Sequence, residues 1–351
     1  MKNYLFLFLF FISLSPCMSQ VVSNPELSFL KPFPGNTLDS EKRFVNQYNP
    51  FEAKFSDLLK WQFSKNPQKN AKKLNPRGLE IKKDSSLFSN AKDGIIWLGH
   101  ASFFIRLNGI TFLIDPVQGN AGPVKRHSEF PFAWSDFPPI DFILISHDHR
   151  DHCDKPTLKQ MLKHFPNAYY LTGLNMSDLL RDLTSSQLAV QEAGWYQVYK
   201  HPKLEKAGIK LAFLPSRHWS RRGLTDTNKR LWGAFLFQSD SGNIYFSGDS
   251  GYDLHFKELP SLCKDIDVFI IGVGAYKPEW FMSSNHISPT DALKAFQESG
   301  AKAMLPMHYG TFDLSDEPML EPREVLNSMG RSNLGIMLPL PGEVIRIRTK
   351  N

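Results

Sequence analysis

From Gly94 onward, the sequence predicts an α/β fold in which two sheets are flanked by helices. Two observations support this prediction. Short apolar runs rich in β-branched and aromatic residues are followed by helical patterns, and this order occurs twice along the chain. The length of 351 residues, of which 42% are hydrophobic, is sufficient for a substantial core in one large or two small domains.

The predicted elements follow in chain order. In the first half, the strands cover 95–98, 103–107, 111–114 and 142–145. A helix is predicted over 156–164, with Asp154 or Thr157 available as its cap. In the second half, the strands cover 209–214, 234–238, 244–246 and 268–271. A helix over 289–298 follows, with Ser288 as its expected N-cap.

The first 19 residues predict a signal peptide. Lys2 supplies a positive charge, and residues 4–14 form an apolar stretch that is too short to span a membrane comfortably. We expect cleavage after Ser19, which removes one positive charge from the net charge of +6. A lipidated Cys17 and an uncleaved membrane anchor are the alternatives. The segment predicts an exported bacterial protein, either periplasmic or membrane-associated.

Residues 20–93 differ in composition from the rest of the chain, because Pro, Asn and Lys are frequent in them. Within this N-terminal extension, residues 66–77 are expected to form a polar connector. Apolar positions at helical spacing predict one amphipathic helix over 51–61. We expect this helix to pack against a domain formed by residues 94–351.

The charge and the cysteine content restrict the partners that the chain is expected to bind. A net charge of +6 is modest and favours anionic substrates or an anionic membrane surface. Because no basic stripe alternates with aromatic residues, nucleic acid is not an expected partner. Two ordinary thiols are expected at Cys153 and Cys263 rather than a disulfide. The oligomeric state is left open, and a homo-oligomer is compatible with the sequence.

The segment that follows the predicted strand 142–145 has the composition of a metal site. Residues 147–152 contain three histidines and two aspartates. Imidazole nitrogens and carboxylate oxygens together suit Zn²⁺ and similar divalent ions. His147 and His149, two residues apart, can point to one side of an extended strand end, while Asp151 and His152 follow on a turn. This spacing predicts two metal ions rather than one.

Three further ligand candidates each follow an apolar run with strand character. These candidates are His218, Asp249 and His308. Loops at strand ends are where a rigid sheet holds functional residues. A structural zinc site is disfavoured, because there is no cysteine cluster and the candidate ligands are spread over most of the predicted domain.

This set of residues resembles the signature of the metallo-β-lactamase superfamily, a His-x-His-x-Asp-His loop followed by a separate His, Asp and His. The resemblance implies a four-layered αββα sandwich, the metallo-β-lactamase fold. Within the superfamily, the chain is similar to the N-acyl-phosphatidylethanolamine phospholipase D family, and the similarity extends from Gly94 to near residue 351. The segments that carry it are 97–102 (WLGHAS), 112–116 (FLIDP), 218–219 (HW), 228–229 (NK), 231–233 (LWG) and 278–282 (PEWFM), together with His286.

The resemblance also implies how the ligands are divided. One zinc ion would take His147, His149 and His218. The other would take Asp151, His152 and His308. Asp249 would bridge both ions, and a water or hydroxide would be the remaining shared ligand. An open coordination position for solvent and substrate is typical of a catalytic metal site.

Three residues are expected to act in catalysis. Asp151 and Asp249 would orient a metal-bridging hydroxide for in-line attack on phosphorus. By resemblance, His286 would contact the substrate phosphate, and as an imidazolium it would protonate a leaving oxygen. The alternative is that His286 is simply a polar residue at the start of a helix.

Other residues have weaker expected roles. His100 and Asp115 are interpreted as groups that support a metal ligand, and a purely structural use of Asp115 is equally compatible. The aromatic residues Tyr276, Trp280 and Phe281 would line an acyl-binding groove, unless they belong to the core. The remaining histidines are expected on the surface or in packing, namely His127, His164, His201 and His255.

The leading hypothesis is a zinc phosphodiesterase that acts on a phospholipid such as an N-acyl phosphatidylethanolamine. It would release phosphatidate and an N-acyl ethanolamine, with peripheral contact to a membrane. The alternative is a zinc-dependent lactonase, or another metallo-hydrolase of a small exported substrate. A binding module without activity is disfavoured, because the ligand set is complete.

Overall fold

The computed structural model describes residues 20–51, 54–74, 77–89, 92–184, 186–330 and 334–347. The predicted signal peptide, 1–19, lies outside the described residues. The strands are β1 (Gln20–Val22), β2 (Asn36–Leu38), β3 (Gly94–Gly99), β4 (Ser102–Leu107), β5 (Ile110–Ile114), β6 (Phe142–Ile145), β7 (Tyr169–Gly173), β8 (Val190–Ala193), β9 (Gln197–Val198), β10 (Lys210–Leu214), β11 (Ala234–Gln238), β12 (Ile244–Phe246), β13 (Val268–Gly272), β14 (Met304–Met307) and β15 (Val344–Arg346). The helices are α1 (Phe55–Phe63), α2 (Lys69–Leu74), α3 (Ser86–Ser89), α4 (Lys155–His164), α5 (Ser177–Thr184), α6 (Pro202–Lys206), α7 (His255–Leu262), α8 (Glu279–Met282), α9 (Pro289–Ser299) and α10 (Glu321–Ser328).

Two mixed sheets form the body of the molecule. The first contains seven strands in the order β15-β3-β4-β5-β6-β7-β8, and the second contains six in the order β14-β13-β12-β11-β10-β9. In the first sheet, β5 to β8 run parallel. In the second, β12 to β14 run parallel. The carboxyl ends of parallel strands meet at one edge of a sheet, which is where such folds hold their ligands.

The inner faces of the two sheets pack on each other through aromatic side chains. Phe103 and Phe112 of the first sheet contact Phe246 and Phe237 of the second, with ring centroids 5.9 and 5.1 Å apart. On the outer face of the first sheet, α4 and α5 cover a separate buried cluster. On the outer face of the second sheet, α7 and α9 pack on β13. The order of layers is helix, sheet, sheet, helix, so the predicted αββα sandwich is confirmed.

Most predicted elements between 94 and 299 differ from the observed ones by one residue or none. Two of the predicted N-caps are observed. Asp154 accepts from the N–H of Thr157 at 2.9 Å, and Ser288 Oγ accepts from the N–H of Asp291 at 3.1 Å. The largest differences lie in the N-terminal extension. The expected connector over 66–77 contains the short helix α2, and the predicted helix over 51–61 begins at Phe55 instead.

The N-terminal extension contacts the six-stranded sheet and the region around α8. Phe29 forms an antiparallel bridge with Gln197 in β9. Trp61 of α1 stacks on Phe281 of α8 with a centroid distance of 5.3 Å, and its indole N–H donates to Asp316 Oδ1 at 3.0 Å. The helix that was expected to pack against the catalytic region therefore does so through an aromatic contact and a hydrogen bond.

In the described part of the chain, no helix has the length and apolar character needed to cross a bilayer. Cys153 and Cys263 are both buried, and no disulfide joins them. Burial raises the pKa of the Cys153 thiol to about 12, so this side chain is a neutral packing group at physiological pH.

Candidate metal centre

The predicted ligands follow the ends of four strands. β10 leads to His218, β12 leads to Asp249 and β14 leads to His308. These three strands point the same way, because β10 and β12 are both antiparallel to β11 and β14 runs parallel to the β12–β13 pair. β6 of the other sheet leads into the loop that carries His147, His149, Asp151 and His152. All seven predicted metal ligands meet at this edge of the sandwich.

One group of ligand atoms is formed by His147, His149, His218 and Asp249, and these atoms lie within 4.8 Å of one another. His149 Nδ1 is 3.0 Å from both His147 Nε2 and His218 Nε2. The other ring nitrogens of two histidines have fixed partners. His147 Nδ1 lies 2.9 Å from Ser146 Oγ, and His218 Nδ1 donates to the carbonyl of Asn285 at 3.0 Å. Such partners fix the ring orientation and leave Nε2 for a metal.

A second group contains the predicted ligands Asp151, His152 and His308, and a ring nitrogen of His100 lies beside their ligand atoms. Asp249 lies between the two groups. Its Oδ2 is 3.2 Å from His152 Nε2 and 3.1 Å from His308 Nε2. The same oxygen is 3.9 Å from His147 Nε2 and 3.8 Å from His218 Nε2. This is the position that a bridging carboxylate requires.

Asp115 contacts a metal-site histidine, the role that the sequence suggested for it. The fully buried carboxylate accepts from His152 Nδ1 at 2.8 Å, and from the N–H and Oγ of Ser146 at 2.7 and 2.5 Å. His152 therefore presents its Nε2 to the second group. The same carboxylate holds the start of the His147 loop through Ser146.

The two groups differ in the pKa values of their histidines, because their neighbouring charges differ. Burial opposes ionisation of Asp249, but the charges of His152 and His308 hold its pKa well below the ordinary value. Burial alone would lower the pKa of His308, yet Asp249 and Asp151 raise it to about 9. By contrast, burial lowers the pKa of His147 and His218 well below the ordinary value. The imidazoles of the first group are thus neutral, whereas those of His152 and His308 in the second group are protonated.

His286 lies in the turn between α8 and α9, at the open side of the site. Its Nδ1 is 3.9 Å from Asp249 Oδ2, and its side chain is 17% exposed. Its ring centroid lies 5.1 Å from that of His308. Burial lowers the pKa of His286 to about 4, which favours the neutral ring. The residue therefore faces the same space as the candidate ligands.

A cavity of about 120 Å³ adjoins the metal site. Trp219, in its wall, contacts His149 with a centroid distance of 4.8 Å. Trp280 and Phe281 also line it, whereas Tyr276 does not. Tyr276 is buried, and its hydroxyl donates to Glu321. The expected groove role is therefore wrong for Tyr276, because this side chain turns into the interior toward α10.

Asn46 is a site residue that the sequence did not reveal. Its side-chain amide donates to the carbonyl of His218 at 2.9 Å and accepts from the N–H of His218 at 3.1 Å. Both residues are buried. The N-terminal extension thus holds the backbone of a metal-site histidine. A single asparagine in a polar stretch carries no periodic signal, so only the tertiary contact reveals its role.

The remaining histidines lie away from the ligand groups, as expected. His127 and His164 are exposed. His201 caps α6, and its ring contacts Phe142 at the start of β6, the opposite end from the site. His255 is buried against Phe256, and its Nε2 lies 3.2 Å from Ser250 Oγ.

The donor set fits a divalent metal. Among the buried atoms of the site that have no hydrogen-bond partner in the described part of the chain are His152 Nε2, His308 Nε2 and Asp249 Oδ1. Buried polar atoms without a partner are rare in native proteins. Coordination would satisfy all three. Imidazole and carboxylate donors without thiolate suit zinc, iron or manganese.

Fold and site together define the class of this protein. The sequence model of the β-lactamase superfamily domain matches residues 111–309, more than half of the chain. With the αββα sandwich and the histidine–aspartate groups at the strand ends, this match identifies the chain as a member of the metallo-β-lactamase superfamily. Its ligand set and its relatives show that it is a metal-dependent hydrolase.

Within that class, the chain is similar to phospholipases D that hydrolyse N-acyl-phosphatidylethanolamine. The enzyme named phospholipase D 1 of Caenorhabditis elegans is 33% identical over 245 residues, which cover 66% of this chain and 68% of that protein. The mitochondrial enzyme of Saccharomyces cerevisiae is 32% identical over 242 residues, covering 66% of this chain and 51% of the yeast protein. Among solved structures, the metallo hydrolase Igni18 of Ignicoccus hospitalis has a TM-score of 0.54 at 19% identity, over 72% of this chain and 97% of Igni18. This last likeness supports the fold alone.

Proposed function

We propose that this protein is a phosphodiesterase of the N-acyl-phosphatidylethanolamine phospholipase D type with two zinc ions. The observation that carries the proposal is the position of Asp249, whose Oδ2 lies within 3.9 Å of imidazole nitrogens from both ligand groups. The similarity to the nematode and yeast phospholipases favours a phosphodiester over a lactone.

The two groups of residues would each hold one ion. His147, His149 and His218 would bind the first, and Asp151, His152 and His308 would bind the second, with Asp249 shared. A bound divalent ion supplies a Lewis acid to the phosphoryl oxygens and lowers the pKa of water from about 16 to about 7. Solvent reaches the site at Asp151, whose side chain is 14% exposed, whereas the side chain of His152 is fully buried. Water is therefore available where this chemistry needs it.

The chain's own side chains would orient the reactants. The carboxylates of Asp151 and Asp249 accept hydrogen bonds from the attacking water and direct its lone pair toward phosphorus. The neutral ring of His286 donates a hydrogen bond to a phosphoryl oxygen. As water adds to phosphorus, the bond to the ethanolamine oxygen breaks, and the proton that water loses ends on that oxygen. Phosphatidate and an N-acyl ethanolamine are the products.

The cavity beside the metal site would hold the part of the substrate next to the phosphate. Its wall includes the aromatic residues Phe51, Trp219, Trp280 and Phe281, and the cations Lys54 and Arg221. Apolar rings suit an acyl or glycerol carbon chain, and the cations suit a phosphodiester. A phospholipid offers both of these groups.

Peripheral contact with an anionic membrane is part of this proposal. In the N-terminal extension, Phe63 is 86% exposed and Leu74 is 87% exposed, and Trp280 at the cavity is 49% exposed. The same region carries Lys69 and Lys73 on α2, which has no buried residue. Exposed apolar side chains among lysines suit a surface of anionic lipid. We also propose that the protein is exported, on the basis of its first 19 residues.

The first test compares substrates. The purified full chain is incubated with mixed micelles that contain N-acyl phosphatidylethanolamine, and separately with a panel of lactones. We expect release of N-acyl ethanolamine that stops when a chelator is added and returns with zinc. Lactone hydrolysis without phospholipid turnover would overturn the phosphodiesterase proposal and favour the alternative hydrolase.

The second test concerns His286. His286→Ala should lower kcat by about 100-fold or more, because one donor to the phosphoryl oxygen is lost. Its metal content should equal that of the wild type, since His286 is not assigned as a ligand. The exposed His164→Ala is the matched control and should leave both quantities unchanged. Loss of metal from His286→Ala would instead assign this residue to the metal site.

A further inference from the structure

His100 occupies the tight turn between β3 and β4, with a backbone φ of 53°. This left-handed conformation is unfavourable for a residue with a side chain. Hydrogen bonds to both backbone groups of His100 hold the residue in this conformation. The N–H of His100 donates to Thr311 Oγ1 at 2.9 Å, and its carbonyl accepts from the indole N–H of Trp97 at 2.8 Å. The turn is therefore fixed by the interior and not by solvent.

The ring of His100 contacts a ligand of the second group directly. His100 Nε2 lies 2.9 Å from Asp151 Oδ2. An ionised carboxylate has no hydrogen to give, so Nε2 is the donor in this contact. Asp151 is thereby held by a partner that is itself 1% exposed. A carboxylate fixed in this way enters a metal site with one orientation.

Packing alone does not account for an imidazole at this position. His100 Nδ1 is buried and has no hydrogen-bond partner among the described residues. The ring lies between the rings of His308 and Phe312, with centroid distances of 4.0 and 4.9 Å. An apolar ring would fill the same space without a buried unpaired nitrogen. The imidazole is therefore explained by its hydrogen bond to Asp151.

The backbone of His100 holds another ligand of the same group. Its carbonyl accepts from the N–H of His308 at 3.1 Å, in addition to the indole of Trp97. His308 itself has a positive φ of 66°, and this backbone contact helps to hold the strained turn in place. One residue thus holds Asp151 through its ring and His308 through its carbonyl.

We propose that His100 is a positioning residue that sets the metal affinity of the second group and leaves that of the first group unchanged. His147, His149 and His218 have other partners, and none of the hydrogen bonds described for them involves His100. The inference rests on the proposed centre with two ions. It extends that proposal by assigning a residue that controls one ion and not the other.

The test uses two variants of the full chain. His100→Phe removes the donor and keeps a planar ring, whereas His100→Gln keeps an N–H donor at a similar distance from the backbone. Zinc stoichiometry is measured after dialysis, and the affinity for each ion is measured by competition with a fluorescent chelator. His201→Phe, which changes a histidine at the opposite end of β6, is the matched control.

We expect the wild type and the His201 variant to bind two ions. In His100→Phe, one of the two affinities should fall by about 10- to 100-fold while the other is retained, and His100→Gln should recover part of the loss. Anomalous diffraction from zinc-loaded crystals of His100→Phe should show metal in the first group only. Metal content, unlike turnover, does not depend on which substrate the enzyme takes.

Each other outcome is informative. An equal loss of both ions in His100→Phe, or metal loss in His100→Gln as large as in His100→Phe, would overturn the positioning role while leaving the two-ion centre intact. A wild type that binds a single ion would overturn the two-ion centre and this inference together. Unchanged affinities in His100→Phe would show that its hydrogen bond to Asp151 is dispensable.

Discussion

At the scale of the residue, one oxygen organises the site. Asp249 Oδ2 has imidazole nitrogens of five histidines within 3.9 Å, namely His147, His152, His218, His286 and His308. An isolated carboxylate as deeply buried as this one would be protonated. It is ionised here because cationic neighbours offset the loss of hydration, and a metal would take over the same role.

Asp249→Asn should therefore disrupt both ligand groups. The amide keeps the shape but loses the negative charge, so we expect metal content to fall by at least one ion per chain and turnover to fall by 100-fold or more, on the order of 3 kcal/mol. Metal analysis and the phospholipid assay measure the two effects. Asp240→Asn, in the exposed turn between β11 and β12, is the control. Full activity in Asp249→Asn would contradict a bridging role.

The charges of the metal-free site predict proton release on metal binding. The pKa of His308 is raised to about 9, so this ring is protonated at pH 7 and must lose its proton before it coordinates. His147 and His218 have lowered pKa values and need not lose one. Apparent zinc affinity should thus fall as the pH drops below about 9. Titration calorimetry at pH 7 in buffers of different ionisation enthalpy should detect at least one proton released per chain, and identical heats would contradict the raised pKa.

At the scale of the element, the sequence predicted the strands that carry ligands. β6, β10 and β12 are apolar runs that end at a polar ligand, so both their type and their function are visible locally. Four strands of the two sheets were not predicted, namely β7, β8, β9 and β15. Of these, β8, β9 and β15 are short edge strands, and β8 and β15 are only partly buried. Their pairing is decided by a neighbouring strand and not by their own pattern.

The contacts of the N-terminal extension also could not be predicted from the sequence. Asn46 holds His218 from a distance of 172 positions along the chain, and no local signal connects the two residues. Likewise, the contact of Trp61 with Phe281 depends on how α1 lies on α8. The resemblance predicted that the candidate ligands are neighbours in space, and the structure places them together. The side chains that support them could be found only from the fold.

Asn46→Leu should weaken the first ligand group selectively. The substitution keeps the branched shape of the side chain but removes both hydrogen bonds to the backbone of His218. We expect one zinc affinity to fall by about 10-fold or more, because groups behind a ligand tune its geometry. Competition with a chelator measures the change, and Asn70→Leu on the exposed face of α2 is the control. Retention of both affinities would show that the extension is not needed for the metal site.

At the scale of the whole molecule, the metal site joins the two sheets. His147 and His152 follow a strand of the seven-stranded sheet, and Asp249 and His308 follow strands of the six-stranded sheet. Binding to the native state alone stabilises a protein according to ligand concentration. A metal at this junction therefore stabilises the contact between the layers as well as supporting catalysis.

Removal of metal should lower the thermal stability of the protein. With free zinc 100-fold above Kd, the gain from one site is about 2.7 kcal/mol, which corresponds to roughly 4 °C in Tm for a chain of this size. Differential scanning calorimetry with chelator, and then with zinc restored, measures the change. An unchanged Tm in a protein shown to bind zinc would mean that the unfolded chain binds the ion equally well.

The strand β15 has a consequence for how the chain folds. Val344 pairs with Ile96, so the outermost strand of the first sheet comes from the far end of the sequence. Until those last residues are available, β3 presents a row of unsatisfied amides to any other extended segment. Closing so long a loop is slow compared with forming local structure. A nascent or truncated chain therefore carries an open sheet edge just beside the turn that bears His100, and aggregation during refolding should begin there.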